Sequence, residues 1–231
     1  MVQATQRRVK RVLVSWSSGK DSAWALWQLQ QDAGVELCGL LTTFNQAADR
    51  VAMHAVRREL VRRQSQRAGL ELWEVELPSP CTNQEYEARM QAVIERAQAT
   101  GVTHIAFGDL FLQDIRAYRE RMLEGTGIEP LFPVWQMETR RLSRTLVDAG
   151  VVAHLTCVDP KQLDPKFVGR RYDHSLLDDL PAGVDPCGEN GEFHTLVSAG
   201  PMFSEALDVR VGERIERDGF WFADVMPSSN P

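Results

Sequence analysis

The chain has 231 residues, 43% hydrophobic and 25% charged, which is enough to bury a full core in one large domain or in a domain with a smaller companion. A formal net charge of −6 argues against a protein that grips nucleic acid by bulk electrostatics, because neutralising phosphates takes a surplus of basic residues. Cys38, Cys81, Cys157 and Cys187 form no C-x-x-C pair and no zinc-type Cys/His spacing, so they fit reduced thiols in a cytosolic protein.

In chain order, MVQATQRRVKR runs at once into VLVSW, too brief an apolar run for a signal segment, and no stretch approaches membrane-spanning length. A cytoplasmic protein with no membrane partner is expected. VLVSW predicts a first strand, followed by a helix from about Asp21 to Gln31 and a strand over VELCGLLTTF. Next come a helix from about Met53 to Ala68, the strand LELWEVEL, a helix from about Asn83 to Ala99 and the strand THIAFGD. Strands alternating with helices imply parallel pairing through right-handed crossovers, hence an α/β fold with a doubly wound, Rossmann-like parallel sheet. Gly34, Gly69, Gly101 and Gly150 stand where left-handed C-caps are expected, and Thr82 with Glu85 reads as a capping box. After PLFPVW come a helix from about Glu138 to Ala149, VVAHLTCV, a Pro/Gly/Asp-rich stretch from Asp159 to Glu192, and the short runs FHTLVSA, LDVRV and GFWFADV. These predict a smaller C-terminal α+β domain, with the division set between 1–131 and 132–231.

The loop Ser17-Ser18-Gly19-Lys20-Asp21-Ser22 joins the first strand to the first helix. Such a loop presents free backbone N–H groups and the positive end of the helix dipole, which makes an anion site. Gly19 lets backbone approach a phosphate, the serines can donate to its oxygens, and Lys20, one of only four lysines, adds charge. Asp21 would be repelled by phosphate without a divalent cation between them, which argues for Mg²⁺. A Walker A loop is rejected, because Val14 and Asp21 stand where that motif needs Gly and Ser or Thr. The six residues resemble the S-G-G-x-D-S loop of the PP-loop N-type ATP pyrophosphatases, with Ser18 in place of the first glycine. The resemblance implies that the loop holds the β and γ phosphates of ATP and leaves the α phosphorus open to attack.

Further along, Thr42-Thr43-Phe44-Asn45 ends the second strand where a doubly wound sheet places its nucleoside pocket. Gly108-Asp109 ends another strand, and an Asp there can hold Mg²⁺; Arg116, Arg119 and Arg121 follow, able to neutralise the leaving pyrophosphate. Arg119 and Arg121 read equally well as a solvated helix face. Asp185 to Thr195, DPCGENGEFHT, folds two glutamates into a tight turn where carboxylates can bind an amine or take its proton.

SSGKDS, GDLFLQDIRAYRE, FVGRRYD and GENGEFHT together resemble the diphthine–ammonia ligase family, whose members carry G-E-x-G-E-[FY]-x-T in a second domain. The resemblance implies an ATP-dependent ligase that adenylates a carboxylate and amidates it with ammonia, releasing AMP and pyrophosphate. Members of that family make the terminal amide of diphthamide on a translation elongation factor, so a protein-borne carboxylate is one acceptor. On this reading Lys20, Asp21, Glu189 and Glu192 are catalytic. ATP is held by Ser17, Ser18, Gly19, Lys20, Asp21, Ser22, Thr43, Met53, His54, Gly108 and Asp109, with Met53 and His54 near adenine. Mg²⁺ is held by Asp21 and Asp109. The acceptor side is Arg116, Gly169, Arg170, Asp173, Asn190, His194 and Thr195. A homo-oligomer is compatible with the chain. Rival readings are a tRNA-modifying PP-loop enzyme, disfavoured by the acidic balance and the lack of a cysteine pair, and a non-catalytic adenine-nucleotide-binding regulator, which would release no pyrophosphate.

Overall fold

The computed structural model describes residues 9–51 and 54–228. Its first strand, β1 (Lys10–Ser15), sends Val12 and Val14 into one hydrophobic cluster and Leu13 into another. Burial on both faces explains the unbroken VLV run. β2 (Val35–Asn45) and β5 (His104–Ala106) flank β1 in parallel; β4 (Leu72–Leu77) pairs with β2, and β6 (Glu129–Leu131) with β5. β3 (Arg50–Val51), a two-residue strand absent from the sequence reading, pairs antiparallel with the far end of β2.

Helices cover both faces of this sheet. α1 (Lys20–Gln30) and α2 (Arg58–Ala68) bury Trp24, Leu26, Leu60 and Val61 in one cluster, while α3 (Asn83–Ala99) and α4 (Gln113–Leu123) bury Met90, Ile94 and Leu123 in the other. Thr82 and Glu85 make the expected capping box, and Gly69, Gly101 and Gly150 are left-handed just past their helices. Gly34 is not: α1 ends earlier, and an Asp32 carboxylate accepting from the Gly34 N–H holds that turn instead. The helix expected from Met53 begins only at Arg58, because residues 54–57 form a turn in which Val51 N–H donates to Val56 and Ala55 N–H to Val51. Met53 itself lies outside the described residues.

The remaining chain builds a separate antiparallel sheet of β7 (Val152–Val158), β8 (Phe193–Ala199), β9 (Val209–Arg217) and β10 (Phe220–Pro227), in the order β8-β7-β10-β9. α5 (Thr139–Asp148) precedes it, capped by Glu138, and the short α6 (His174–Asp179) lies within the Pro/Gly/Asp-rich stretch. Phe193, Leu196 and Val225 share one cluster with Trp16 and Leu60, so this sheet packs on the α1–α2 face of the first. We propose a division of the chain near Phe132 on the change of sheet type alone. No helix of the described residues is long and apolar enough to cross a membrane.

Arg50 and Arg57, flanking the 54–57 turn, both grip Asp224 on β10, at 2.9 and 2.6 Å. Burial alone would raise the Asp224 carboxyl, but the two guanidiniums outweigh it and hold it below the usual range. A depressed folded value stabilises above the unfolded pKa and is lost as pH falls through the folded one. Asp224→Ala is expected to cost about 1–2 kcal/mol at pH 7 by urea unfolding, with the gap closing below about pH 4. An unchanged gap at pH 3 would show that the pair does not act through charge.

Candidate functional site

The turn between β1 and α1 carries an unusual backbone. Ser18, at the position where the resembling loop has glycine, sits at φ 74°. The left-handed region costs a residue with a Cβ about 1–2 kcal/mol. The Ser18 carbonyl accepts from the Val197 N–H at 3.0 Å and from Gln64 Nε2 at 3.1 Å, which holds it there. Gly19 caps α1 without a side-chain bond of its own, which leaves the N–H groups of the first turn to other partners. The Lys20 N–H donates to Thr195 Oγ1 at 3.1 Å, tying the loop to β8.

Gly108 brings the end of β5 against the same helix start: a Cβ there would stand 2.7 Å from the Ser22 nitrogen. That approach delivers Asp109, whose carboxylate meets Arg119 of α4 at 3.5 Å. From the other side comes the 185–195 turn. Glu192, 2% exposed, accepts from the Asp185 and Asn190 N–H groups and from Asn190 Nδ2, at 2.9 to 3.0 Å. With the turn so braced, Glu189 reaches across to accept from the Leu110 N–H at 2.7 Å.

These elements enclose a cavity of about 230 Å³ lined by Ser17, Lys20, Asp21, Ser22, His54, Gly108, Asp109, Arg119, Glu189, His194 and Thr195, among others. A second, more apolar cavity of about 190 Å³ adjoins it, lined by Thr43, Leu41, Val51, Tyr86, Met90 and Ile105 and sharing Ser17, His54, Phe107 and Arg119 with the first. On the first cavity, Asp21 Oδ1 is buried without a hydrogen-bond partner, and Asp109 Oδ2 and Arg119 Nε, buried as well, have only each other, at the 3.5 Å of an ion pair. Unsatisfied buried polar atoms are rare, and a carboxylate oxygen left so beside a loosely held ion pair marks a place suited to a polar ligand. Among the described residues no group of three or more His, Cys, Asp or Glu side chains is set to hold a metal by itself.

The electrostatics follow from burial. Lys20, 2% exposed, donates to Asp21 at 2.8 Å and to the Cys187 carbonyl, with the Tyr172 and Phe193 rings beside it. Burial opposes its charge, yet the Asp21 carboxylate more than compensates and the ammonium persists. Burial raises the Asp21 and Asp109 carboxyls, with Lys20 and Arg119 offsetting only part of it. Burial pushes Glu189 up to about 7, against the Leu110 and Phe111 N–H bonds that favour its ionised form. His54 and His194 stack with centroids 4.5 Å apart. Burial and the neighbouring ring lower His54 to about 3; burial and Lys20 lower His194 to about 4, so both rings are neutral at pH 7. His54 Nδ1 lies 3.2 Å from the Thr195 carbonyl, which can only accept, so the proton is on Nδ1 and Nε2 is a free acceptor.

Several expected site residues stand elsewhere. Glu192 and Asn190 brace the turn and do not line the cavity. Arg116 pairs with Glu120 at 2.8 Å and lies over Phe132 and Trp135. Arg170 pairs with Asp179, Asp173 caps α6 through the Leu176 N–H, and Gly169 packs against Val211 and Ala223. His54, expected near adenine, borders both cavities and lies over the Ser17–Ser22 loop, its Cε1 3.0 Å from where a Gly19 Cβ would stand. The FVGRRYD segment instead contributes Tyr172, whose hydroxyl donates to the Pro186 carbonyl at 2.7 Å. Tyr172, Phe193 and Gln64 escaped the sequence reading. For Gln64 a signal existed, since a polar residue four places after Leu60 falls on the apolar stripe of α2.

A carboxyl raised in the fold adds stability below its unfolded pKa and loses it as pH rises through the folded value. Glu189→Gln is therefore expected to gain stability relative to the parent as pH rises from 5 to 8, read by urea unfolding at both ends. A difference that does not move with pH would contradict the burial of this carboxyl.

Comparison with known proteins agrees with this architecture. A family model described as the diphthamide synthase N-terminal domain matches residues 10–130, more than half of the chain, and the diphthamide synthase C-terminal domain matches 138–226. The diphthine–ammonia ligase of Rattus norvegicus is 27% identical over 142 residues, and that of Homo sapiens 28% over 142, each covering 59% of this chain and 52% of the relative. That of Danio rerio is 25% identical over 154 residues, 64% of this chain and 60% of the relative. The chain thus spans about half the length of the first two relatives. On the two consecutive domain matches, this chain belongs to the diphthamide synthase family.

Proposed function

We propose that the protein is an ATP-dependent, amide-forming ligase: a carboxylate attacks the α phosphorus of ATP and expels pyrophosphate, and ammonia then displaces AMP from the acyl adenylate, releasing one proton. The observation that carries this reading is the convergence of the Ser17–Ser22 loop and Glu189, from opposite halves of the chain, on one cavity into which Asp21 brings an unpartnered carboxylate oxygen. The name of the relatives, diphthine–ammonia ligase, supports ammonia as the nucleophile and a carboxylate as the acceptor.

In this reading the first-turn N–H groups of α1 and the serine hydroxyls take the β and γ phosphates, and the apolar cavity beside Thr43 takes the nucleoside. Asp21 and Asp109 would hold Mg²⁺, and the partnerless Asp21 Oδ1 fits it; the ion would neutralise phosphate charge. Lys20 and Arg119 sit beside the same carboxylates and favour phosphate in the cavity. Neutral His54 offers a bare Nε2 to an N–H of ammonia, and Glu189, half ionised near neutral pH, can take the proton that amide formation releases. Glu192 acts by holding the turn. A carboxylate acceptor borne on a protein is the finer form of the proposal.

ATP consumed with ammonium and a carboxylate acceptor is expected to yield AMP and pyrophosphate by ³¹P NMR, and Asp21→Asn is expected to slow it at least about tenfold, or 1.4 kcal/mol. Accumulation of ADP and phosphate would overturn the assignment of the bond that breaks.

A further inference from the structure

Gln64 is fully buried, at 0% exposure, in the apolar stripe of α2 beside Leu60 and Val61. Every hydrogen-bonding direction on its carboxamide that matters is used. Oε1 accepts from the Trp16 indole at 2.9 Å; Nε2 donates to the Ser18 carbonyl at 3.1 Å and to the Val197 carbonyl at 2.7 Å. Its orientation is unambiguous, because an indole N–H can only donate and two carbonyls can only accept. The Val197 N–H also donates to the Ser18 carbonyl at 3.0 Å. Gln64, Ser18 and Val197 therefore close a ring of three hydrogen bonds joining α2, the phosphate loop and β8.

We infer that Gln64 is a positioning residue for the nucleotide, fixing Ser18 in the left-handed conformation and locking the loop in register with the strand that carries His194 and Thr195. Gln64 does not line either cavity, so it acts through Ser18. A positive φ carries a Cβ penalty for serine that glycine does not incur. Without the Gln64 donors, Ser18 relaxes toward negative φ and carries the N–H groups of the first turn of α1 away from the phosphates. The same loss matters less when residue 18 is glycine. This inference rests on the reading of the loop as an ATP site.

The test is a double-mutant cycle on the full chain, reading the Kd of Mg·ATP by calorimetry for the parent, Gln64→Met, Ser18→Gly and the double variant. Gln64→Met is expected to weaken binding at least about tenfold with Ser18 present but less than about threefold in the Ser18→Gly background. A lowered Tm with unchanged Kd, or equal losses in both backgrounds, would reduce Gln64 to ordinary core packing and overturn the inference. A parent that binds no Mg·ATP would remove the ATP reading itself, and the inference with it. Should Gln64→Met not fold, Gln64→Asn, which keeps the amide one methylene short of its partners, is measured in both backgrounds and the same comparison decides.

Discussion

The carbonyl of Ser18 is the point on which the site depends. Two donors meet it, one from α2 and one from β8, and both are buried. Buried hydrogen bonds of this kind are expensive to leave unmade, so the loop cannot relax without also undocking the second sheet. Once β8 is fixed at Val197, Thr195, two residues back along it, meets the start of α1, and the turn before the strand carries Glu189 to the end of β5. The loop geometry and the joining of the two sheets are thus one event.

That junction also sets the electrostatics. Asp21, Asp109 and Glu189 share a low-dielectric cavity with Lys20 and Arg119 as the nearby cations. Desolvation raises all three carboxyls, and neutral histidines add acceptors without adding charge. On the proposed reading, a ligand that brings a divalent cation with its own anionic groups suits this cavity, because the cation would relieve the crowded carboxylates while the α1 terminus would meet the phosphates. The Lys20 ammonium does not hang free on the loop. It is anchored against the 185–195 segment by the Cys187 carbonyl, which makes it a tie between halves as well as a charge beside the site.

The sequence by itself determined most of the scaffold and the position of the turn on which the proposed chemistry rests. VLVSW, the long helical stretches, the Thr82–Glu85 box and the glycines after α2, α3 and α5 specify their elements through local sterics and capping, and these act within a few residues. The position of SSGKDS at a strand-to-helix turn was legible for the same reason, since the strand before it and the helix after it carry their own local signals. Only the tertiary structure separated Glu189 from Glu192, two glutamates in one turn: one faces the cavity and the other spends its oxygens on the Asp185 and Asn190 N–H groups. It likewise turned Arg116, Arg170 and Asp173 to structural partners and brought in Tyr172 and Gln64. The physical reason is distance along the chain. Gln64 to Val197 spans 133 positions and Lys20 to Thr195 spans 175, and contacts so remote leave no periodicity or spacing in the sequence that could announce them.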